Sequence, residues 1–387
     1  MYAMAQLAMH DALNAIDRRS ASYGPTFTAR RKADPKAAVA AAAHDTLVSA
    51  ISEIQAPVPQ QCRDAGVAAV EEFYAAKLQR IPDGRATRRG LATGHRAAGG
   101  IIALRRGDGA DTPLVVADFP QSGAPGVWRF TPGTAFAFAP GWGEVKPFGL
   151  TDADQFPVPG PLRLSSSRYA RNVAEVQALG GDGVVTPTRR SAEQTEIALF
   201  WLESSPTMWN RVARQLARSH RLDGWQQARM LGQLNIALAD GYIATFAKKY
   251  RDLFWRPVTA IREGDRDGNV ATSSDPTWTP LRTTPPVPDH DSGHAVQGGA
   301  AAGVLRTFFG TDRLRFAVCS DSLPDRACGS ADPKLRRFRS VTQAAWENAD
   351  SRIYVGFHFR YATQIGTRHG IAIGTWAASH TLASVRS

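Results

Sequence analysis

No stretch of this chain alternates apolar and polar residues over strand length, whereas apolar residues three and four apart recur through most of it. That periodicity restricts the chain to a mainly α fold. Met4, Leu7, Ala8, Ala12 and Ile16 share one helical face, and Ala37 to Ile54 is an alanine-rich run of high helix propensity. Residues 62–82 and 86–105 repeat that character. Helical patterning resumes near Ser165, continues through 190–219 and 223–255, and returns at 293–309, 340–354 and 359–384. Two long irregular segments interrupt it: 107–161, rich in Pro, Gly, Trp and Phe, and the turn-rich 263–292. Loops of that length inside a compact domain are uncommon and often functional.

Three regions follow: an N-terminal helical region 1–106, a Pro/Gly/aromatic-rich covering segment 107–164, and a C-terminal helical core 165–387. The N-terminal helices are too alanine-rich to make a core alone, so the expectation is one intertwined unit. With 43% of 387 residues apolar, there is enough material for such a core.

Composition removes several function classes. No run of 18 apolar residues exists, so no integral membrane association is expected. The start, Met1-Tyr2-Ala3-Met4-Ala5-Gln6, shows no signal peptide, although a trimmed start would look the same, and the compartment stays open. The formal net charge is +11, and only seven of the 46 cations are lysine. Nucleic acid is not expected as a partner, because no binding motif or dense basic stripe accompanies that charge. The nearest approach, Lys334-Leu335-Arg336-Arg337-Phe338-Arg339, reads as a solvated surface stretch. Small oxyanions remain as a partner for arginine. Of the three cysteines, Cys319 and Cys328 are equally compatible with a short-loop disulfide and with two thiols; no CxxC supports a zinc or redox pair.

Chemistry gathers between 246 and 370. Leu231, Leu234, Leu238, Tyr242 and Phe246 lead along one helical face to Lys249. A lysine there either snorkels to solvent or is paired or ligand-bound, because an unpaired buried ammonium is costly. Seven residues on, Arg256 precedes Pro257, and the proline is expected to end or kink the helix near Trp255. Further along, Asp289-His290-Asp291-Ser292-Gly293-His294 opens a run of small residues, with Ser292 as a natural N-cap. The free N–H groups of Gly293 and His294 would then face an anion. In Ser351-Arg352-Ile353-Tyr354-Val355-Gly356-Phe357-His358, Arg352 and His358 stand about 240° apart on an ideal helix. They converge only if the helix breaks near Gly356.

Taken together, Lys-x6-Arg-Pro, Ser-Gly-His and Ser-Arg-x5-His in this order resemble the superfamily of vanadium-dependent haloperoxidases and type 2 phosphatidic acid phosphatases, in its soluble bacterial haloperoxidase-like branch. Residues around the motifs, from Phe254 to Arg262 and from Asp275 to Pro280, strengthen the likeness, which is sharp over 230–375. The resemblance implies a helical-bundle haloperoxidase/acid phosphatase-like architecture. It further implies an oxyanion cup in which Lys249, Arg256, Ser292, Gly293, His294, Arg352 and His358 hold vanadate, and which phosphate also fits. His358 would be the metal ligand, His294 the acid/base, and Lys249 would polarise peroxide. The small-molecule substrates would be hydrogen peroxide, halide and an organic acceptor, the product would be hypohalous acid, and a homo-oligomer is compatible with the family.

The same residues also suit a soluble acid phosphatase, with His358 as nucleophile and His294 protonating the leaving group. Two further readings remain: a metallohydrolase using Asp289, His290, Asp291 and His294, and a helical binding protein without turnover. Three positions depart from the resemblance. Asp291 stands where the family usually has proline, and should repel an anion unless it pairs with an arginine. Ala362 stands where the family has aspartate four residues after the second histidine, so an orienting role is missing or supplied elsewhere. Val287 stands seven before His294, where some chloroperoxidases carry an aromatic residue, and Phe246 stands three before Lys249; both bear on halide preference. Replacing Asp291 with proline is expected to raise vanadate affinity.

Overall fold

The computed structural model describes residues 1–385. Twelve α-helices carry the architecture among them, in accord with the mainly α expectation. The N-terminal helices are α1 (Tyr2–Ile16), α2 (Pro35–Ser52), α3 (Gln60–Leu78) and α4 (Arg85–Arg105). After the covering segment come α5 (Ser167–Leu179), α6 (Ala192–Phe200), α7 (Ser205–Ser219), α8 (Gly224–Asp252) and α9 (Pro257–Arg262). The last three are α10 (Gly293–Phe309), α11 (Val341–Tyr354) and α12 (Arg360–His380). No helix among the described residues is long and apolar enough to cross a membrane.

The central element is α8. Asp223 caps it, accepting from the Gln226 N–H while the Gln226 side chain returns to the Asp223 N–H. Packed against α8 are α1, α7, α10 and α12, and one continuous core joins Leu7, Ile101, Trp209, Leu234, Val296, Val304 and Ile373. The N-terminal helices therefore share their core with the C-terminal bundle. Close backbone approach explains the small residues of α10 and α12: a Cβ on Gly299 would lie 2.1 Å from the Thr367 carbonyl oxygen, and one on Gly370 2.0 Å from that of Val296. That approach presses the start of α12 against the start of α10, where the Ser292 N–H donates to the Ala362 carbonyl at 3.2 Å.

Several sequence expectations change. α8 stops at Asp252, not near Trp255, with Leu253 left-handed at φ 46°. Pro257 is the first residue of α9, a short helix that periodicity did not reveal; proline suits that position because its missing N–H would be unbonded there anyway. α12 ends at His380, four residues before the expected boundary. Two short antiparallel ladders escape a strand-length search: β1 (Val115–Val116) with β2 (Ala137–Phe138), and β3 (Phe316–Val318) with β4 (Arg336–Phe338). The basic stretch around β4 is not simply solvated. Arg336 bonds Glu193, Glu196 and Glu347, and Lys334 bonds Glu196, clamping α6 to α11, while Arg337 and Arg339 stay exposed. Cys319 and Cys328 form a disulfide, and Cys62 is free and exposed.

The covering segment is tied down at every turn. Trp128 N–H donates to Leu253, Trp255 N–H to Gly126, and Phe138 N–H to Pro286. Further on, the N–H groups of Phe148, Gly149 and Leu150 converge on the buried Asp240 carboxylate of α8 at 2.6–3.0 Å. Burial nonetheless raises Asp240 to about 6. A short 3-10 helix, Pro140–Glu144, packs on the same helix.

Candidate active site

Lys249, three residues before the end of α8, is 2% exposed, so it does not snorkel. Its Nζ donates to the carbonyls of Pro288 (2.6 Å) and Asp289 (2.9 Å), which leaves one of three donors uncommitted. Burial, helped by the Arg256 charge, lowers it to about 7, against the pull of Asp289 and Asp291. Arg256 enters from the N-cap of α9, with Nε on Val287 O (2.7 Å) and Nη1 on Phe357 O (2.8 Å). Its Nη1 also lies 3.0 Å from Nε2 of His358. Arg352 enters from α11, with Nε on Ser351 Oγ (2.9 Å) and Nη2 on Trp201 O (2.8 Å). Burial lowers Arg256 to about 10 and Arg352 to about 9, the latter helped by Arg256. A guanidinium carries five N–H donors, so both arginines retain more than these bonds use.

The break expected at Gly356 is present. Gly356 has φ 84°, and the N–H groups of Phe357 and His358 fold back to the Arg352 carbonyl at 3.0 and 3.3 Å. The turn brings His358 to the same side as Arg352. His294 lies in the field of all three cations, and burial followed by the Arg352 charge pushes it well below the ordinary histidine range. His358 is pushed the same way, by burial and then by Arg256, Lys249 and Arg352. Both imidazoles are neutral at pH 7.

Ser292 occupies the N-cap of α10, but its side chain makes no capping bond. Its Oγ is buried without a partner, and so is Nε2 of His294. Unpartnered buried polar atoms are expensive and rare in folded proteins. A Cβ on Gly293 would meet nothing closer than Thr245 at 3.7 Å and Tyr242 at 4.0 Å, so the backbone there is open. Three cations, a serine hydroxyl and an imidazole nitrogen without partners suit a small tetrahedral oxyanion, which offers acceptors for each. Val287, Phe246, Tyr242 and Tyr250 form an apolar cluster beside it with Ala139 of the covering segment.

Asp291 does not pair with an arginine. Its Oδ1 accepts from Thr245 Oγ1 at 2.9 Å and its Oδ2 from His369 Nδ1 at 2.8 Å. Burial raises its pKa, but the His369 hydrogen bond and charge outweigh that and hold it at about 2. The metallohydrolase cluster does not form. His290 Nε2 turns to Pro159 O and stacks on Tyr361, Asp291 turns to His369, and no metal-binding trio of His, Cys, Asp or Glu occurs among the described residues.

Sequence reasoning missed one close neighbour of the cup. Asp289 Oδ1 lies 2.8 Å from His358 Nδ1, while its Oδ2 is buried without a partner. Burial raises Asp289 to about 7 against the pull of Arg256 and Lys249. The residue stands in the stretch that carries Ser292, but no spacing rule links it to a histidine 69 positions on. The Trp201 carbonyl that holds Arg352 left no sequence signal at all.

Comparison with known proteins gives a family model and several relatives. Residues 229–387 match the VCPO second helical-bundle domain. Vanadium chloroperoxidase of Curvularia inaequalis is 25% identical over 284 residues, 58% of this chain and 46% of that protein, so the match spans less than half of that relative. A bacterial vanadium-dependent iodoperoxidase superposes with TM-score 0.77 at 24% identity, covering 100% of this chain and 91% of that one. An apo-type bacterial vanadium-dependent chloroperoxidase gives 0.74 at 17% identity, covering 98% and 92%. Residues 229–387 thus match the VCPO second helical-bundle domain, and the chain has the overall fold of the bacterial vanadium-dependent haloperoxidases.

Proposed function

We propose that the cup binds vanadate and that the chain uses it to oxidise halide with hydrogen peroxide, releasing hypohalous acid to an organic acceptor. The observation that carries this reading is the pair of buried, unpartnered atoms, Ser292 Oγ and His294 Nε2, within the field of Lys249, Arg256 and Arg352. Bound there, vanadate would supply a Lewis-acidic V(V) centre that activates peroxide without changing oxidation state.

This chain's residues supply the rest. Lys249, Arg256 and Arg352 neutralise the anion in a site that excludes water, where charge-assisted hydrogen bonds are strong. Ser292 and the open backbone at Gly293 would orient its oxygens, and His358 would be the imidazole that holds it. His294, kept neutral by burial and its cationic neighbours, accepts a proton at Nε2 from incoming peroxide. Phe246 and Val287 form an apolar wall that keeps bulk water from the reacting oxygens.

The test is halogenation of monochlorodimedone with peroxide and iodide, bromide or chloride in turn, with and without orthovanadate, beside p-nitrophenyl phosphate hydrolysis. Halogenation that requires orthovanadate and is lost in Ser292→Ala and Arg352→Ala is the expected result. Phosphoester cleavage inhibited by vanadate, with no halogenation of any halide, would overturn the reading in favour of a phosphatase.

A further inference from the structure

Of the two ring nitrogens of His358, only Nδ1 faces a carboxylate. Nη1 of Arg256 lies 3.0 Å from Nε2 and 3.3 Å from Nδ1, so it sits against the ring and on the lone pair of neither nitrogen. Nδ1 lies 2.8 Å from the Asp289 carboxylate oxygen, which accepts, so the ring proton sits on Nδ1 and the lone pair on Nε2.

Asp289 is itself held firmly. Its N–H donates to the Phe254 carbonyl at 2.9 Å, and its carbonyl accepts from Lys249 at 2.9 Å. The residue is buried, 1% exposed. Asp289 and Ala362 also line the same small cavity, together with Phe254, Phe359 and Tyr361. Positions 289 and 362 thus border one space next to the residue that follows His358, and only position 289 carries a carboxylate in this chain.

We infer that Asp289 is the positioning residue for His358: it takes over the orienting role that Ala362 cannot perform, and it fixes Nε2 as the nitrogen presented to the central atom of a bound oxyanion. The partner of the other ring nitrogen is what fixes which nitrogen of a histidine is free to bind. The inference rests on the oxyanion reading for the nature of the guest, but the ring tautomer is independent of any guest.

The test uses the full chain labelled with 15N-histidine, without added anion. Long-range proton–nitrogen correlation reads the tautomer of each ring, and His358→Gln identifies the His358 signals. The parent and Asp289→Asn, whose amide oxygen still accepts, are expected to show the Nδ1–H form; Asp289→Ala is expected to show a mixture or the Nε2–H form. Titration calorimetry then gives affinities for vanadate and for sulfate, whose sulfur takes no bond from histidine. Asp289→Ala is expected to weaken vanadate binding about 10- to 100-fold, with sulfate binding unchanged or tighter. An Nδ1–H tautomer that persists in Asp289→Ala, or an Nε2–H tautomer in Asp289→Asn, overturns the inference, as does undiminished vanadate affinity in Asp289→Ala. A parent protein that binds vanadate no better than sulfate, with the tautomers as expected, overturns the vanadate reading and leaves the role of Asp289 standing.

Discussion

Asp291 and His369 are joined by a 2.8 Å hydrogen bond between Oδ2 and Nδ1, with both side chains buried. Since Thr245 occupies the other carboxylate oxygen, Asp291 faces the α8–α12 side of the bundle as a structural acceptor. A carboxylate placed immediately before Ser292 is thereby tied to α8 and α12 and not to Lys249, Arg256 or Arg352. This revises the expectation that proline at 291 simply raises anion affinity. The substitution also strands Thr245 and His369.

Removing either partner of this pair leaves the other unsatisfied, at a cost of about 1–3 kcal/mol. Asp291→Ala and His369→Ala are each expected to lose about that much stability in urea unfolding. The double variant should lose less than the sum, with a coupling of about 0.5–3 kcal/mol. Strict additivity would show that the bond contributes nothing.

The depressed pKa of Lys249 gives a pH dependence. Its folded value of about 7 lies below the unfolded 10.5, so between those values the unfolded chain binds more protons and stability rises with pH. The proposed anion binding runs the other way, because it needs the ammonium. Sulfate, which does not titrate in this range, should bind about tenfold more weakly at pH 8.5 than at pH 7. Asp289, raised to about 7, adds to the loss as it ionises. His294 and His358, held well below 6.5, do not contribute. Calorimetry on the parent and Lys249→Met checks this: the variant should bind more weakly at pH 7 and lose less on going to pH 8.5.

Much of the cup was legible because its charged members lie on strongly patterned elements. Lys249 falls on the apolar face of α8, Ser292 marks the start of α10, and Gly356 advertises the turn that swings His358 round. What escaped depends on chain segments that meet only after folding. Asp289 reaches His358 because the end of the 263–292 segment returns to α8, where Lys249 holds the Pro288 and Asp289 carbonyls, and nothing local encodes that return. Backbone acceptors such as Trp201 and Val287 leave no trace in residue identity. The 3-10 helix and the two short ladders are held by tertiary bonds, not by a periodic pattern.

Gly356 is a point where fold and site can be broken together. With φ at 84°, a side chain there is strained by about 1–3 kcal/mol. Its Cβ would also fall 2.7 Å from the Gly180 carbonyl oxygen and 2.8 Å from Pro280. Gly356→Ala is therefore expected to lower the urea midpoint and to weaken sulfate binding in whatever fraction stays folded, because Arg352 and His358 no longer share one side. Parent-like affinity in the folded fraction would show that the cup does not depend on this turn.

The disulfide loop is bonded to the segment that follows Trp201. Cys319 and Cys328 close a short loop whose Asp321 N–H donates to Glu203 and whose Cys319 carbonyl accepts from Arg211, itself bonded to Glu203. Glu203 follows closely on Trp201, which holds Arg352. Closing a loop of this size contributes about 2–3 kcal/mol through the unfolded chain. The Cys319→Ser/Cys328→Ser variant should therefore unfold at a temperature about 2–4 °C lower, and a reductant should shift the parent by a similar amount while leaving the variant unmoved. Equal melting of oxidised and reduced parent would mean that the Arg211 and Asp321 bonds hold the loop without the covalent link.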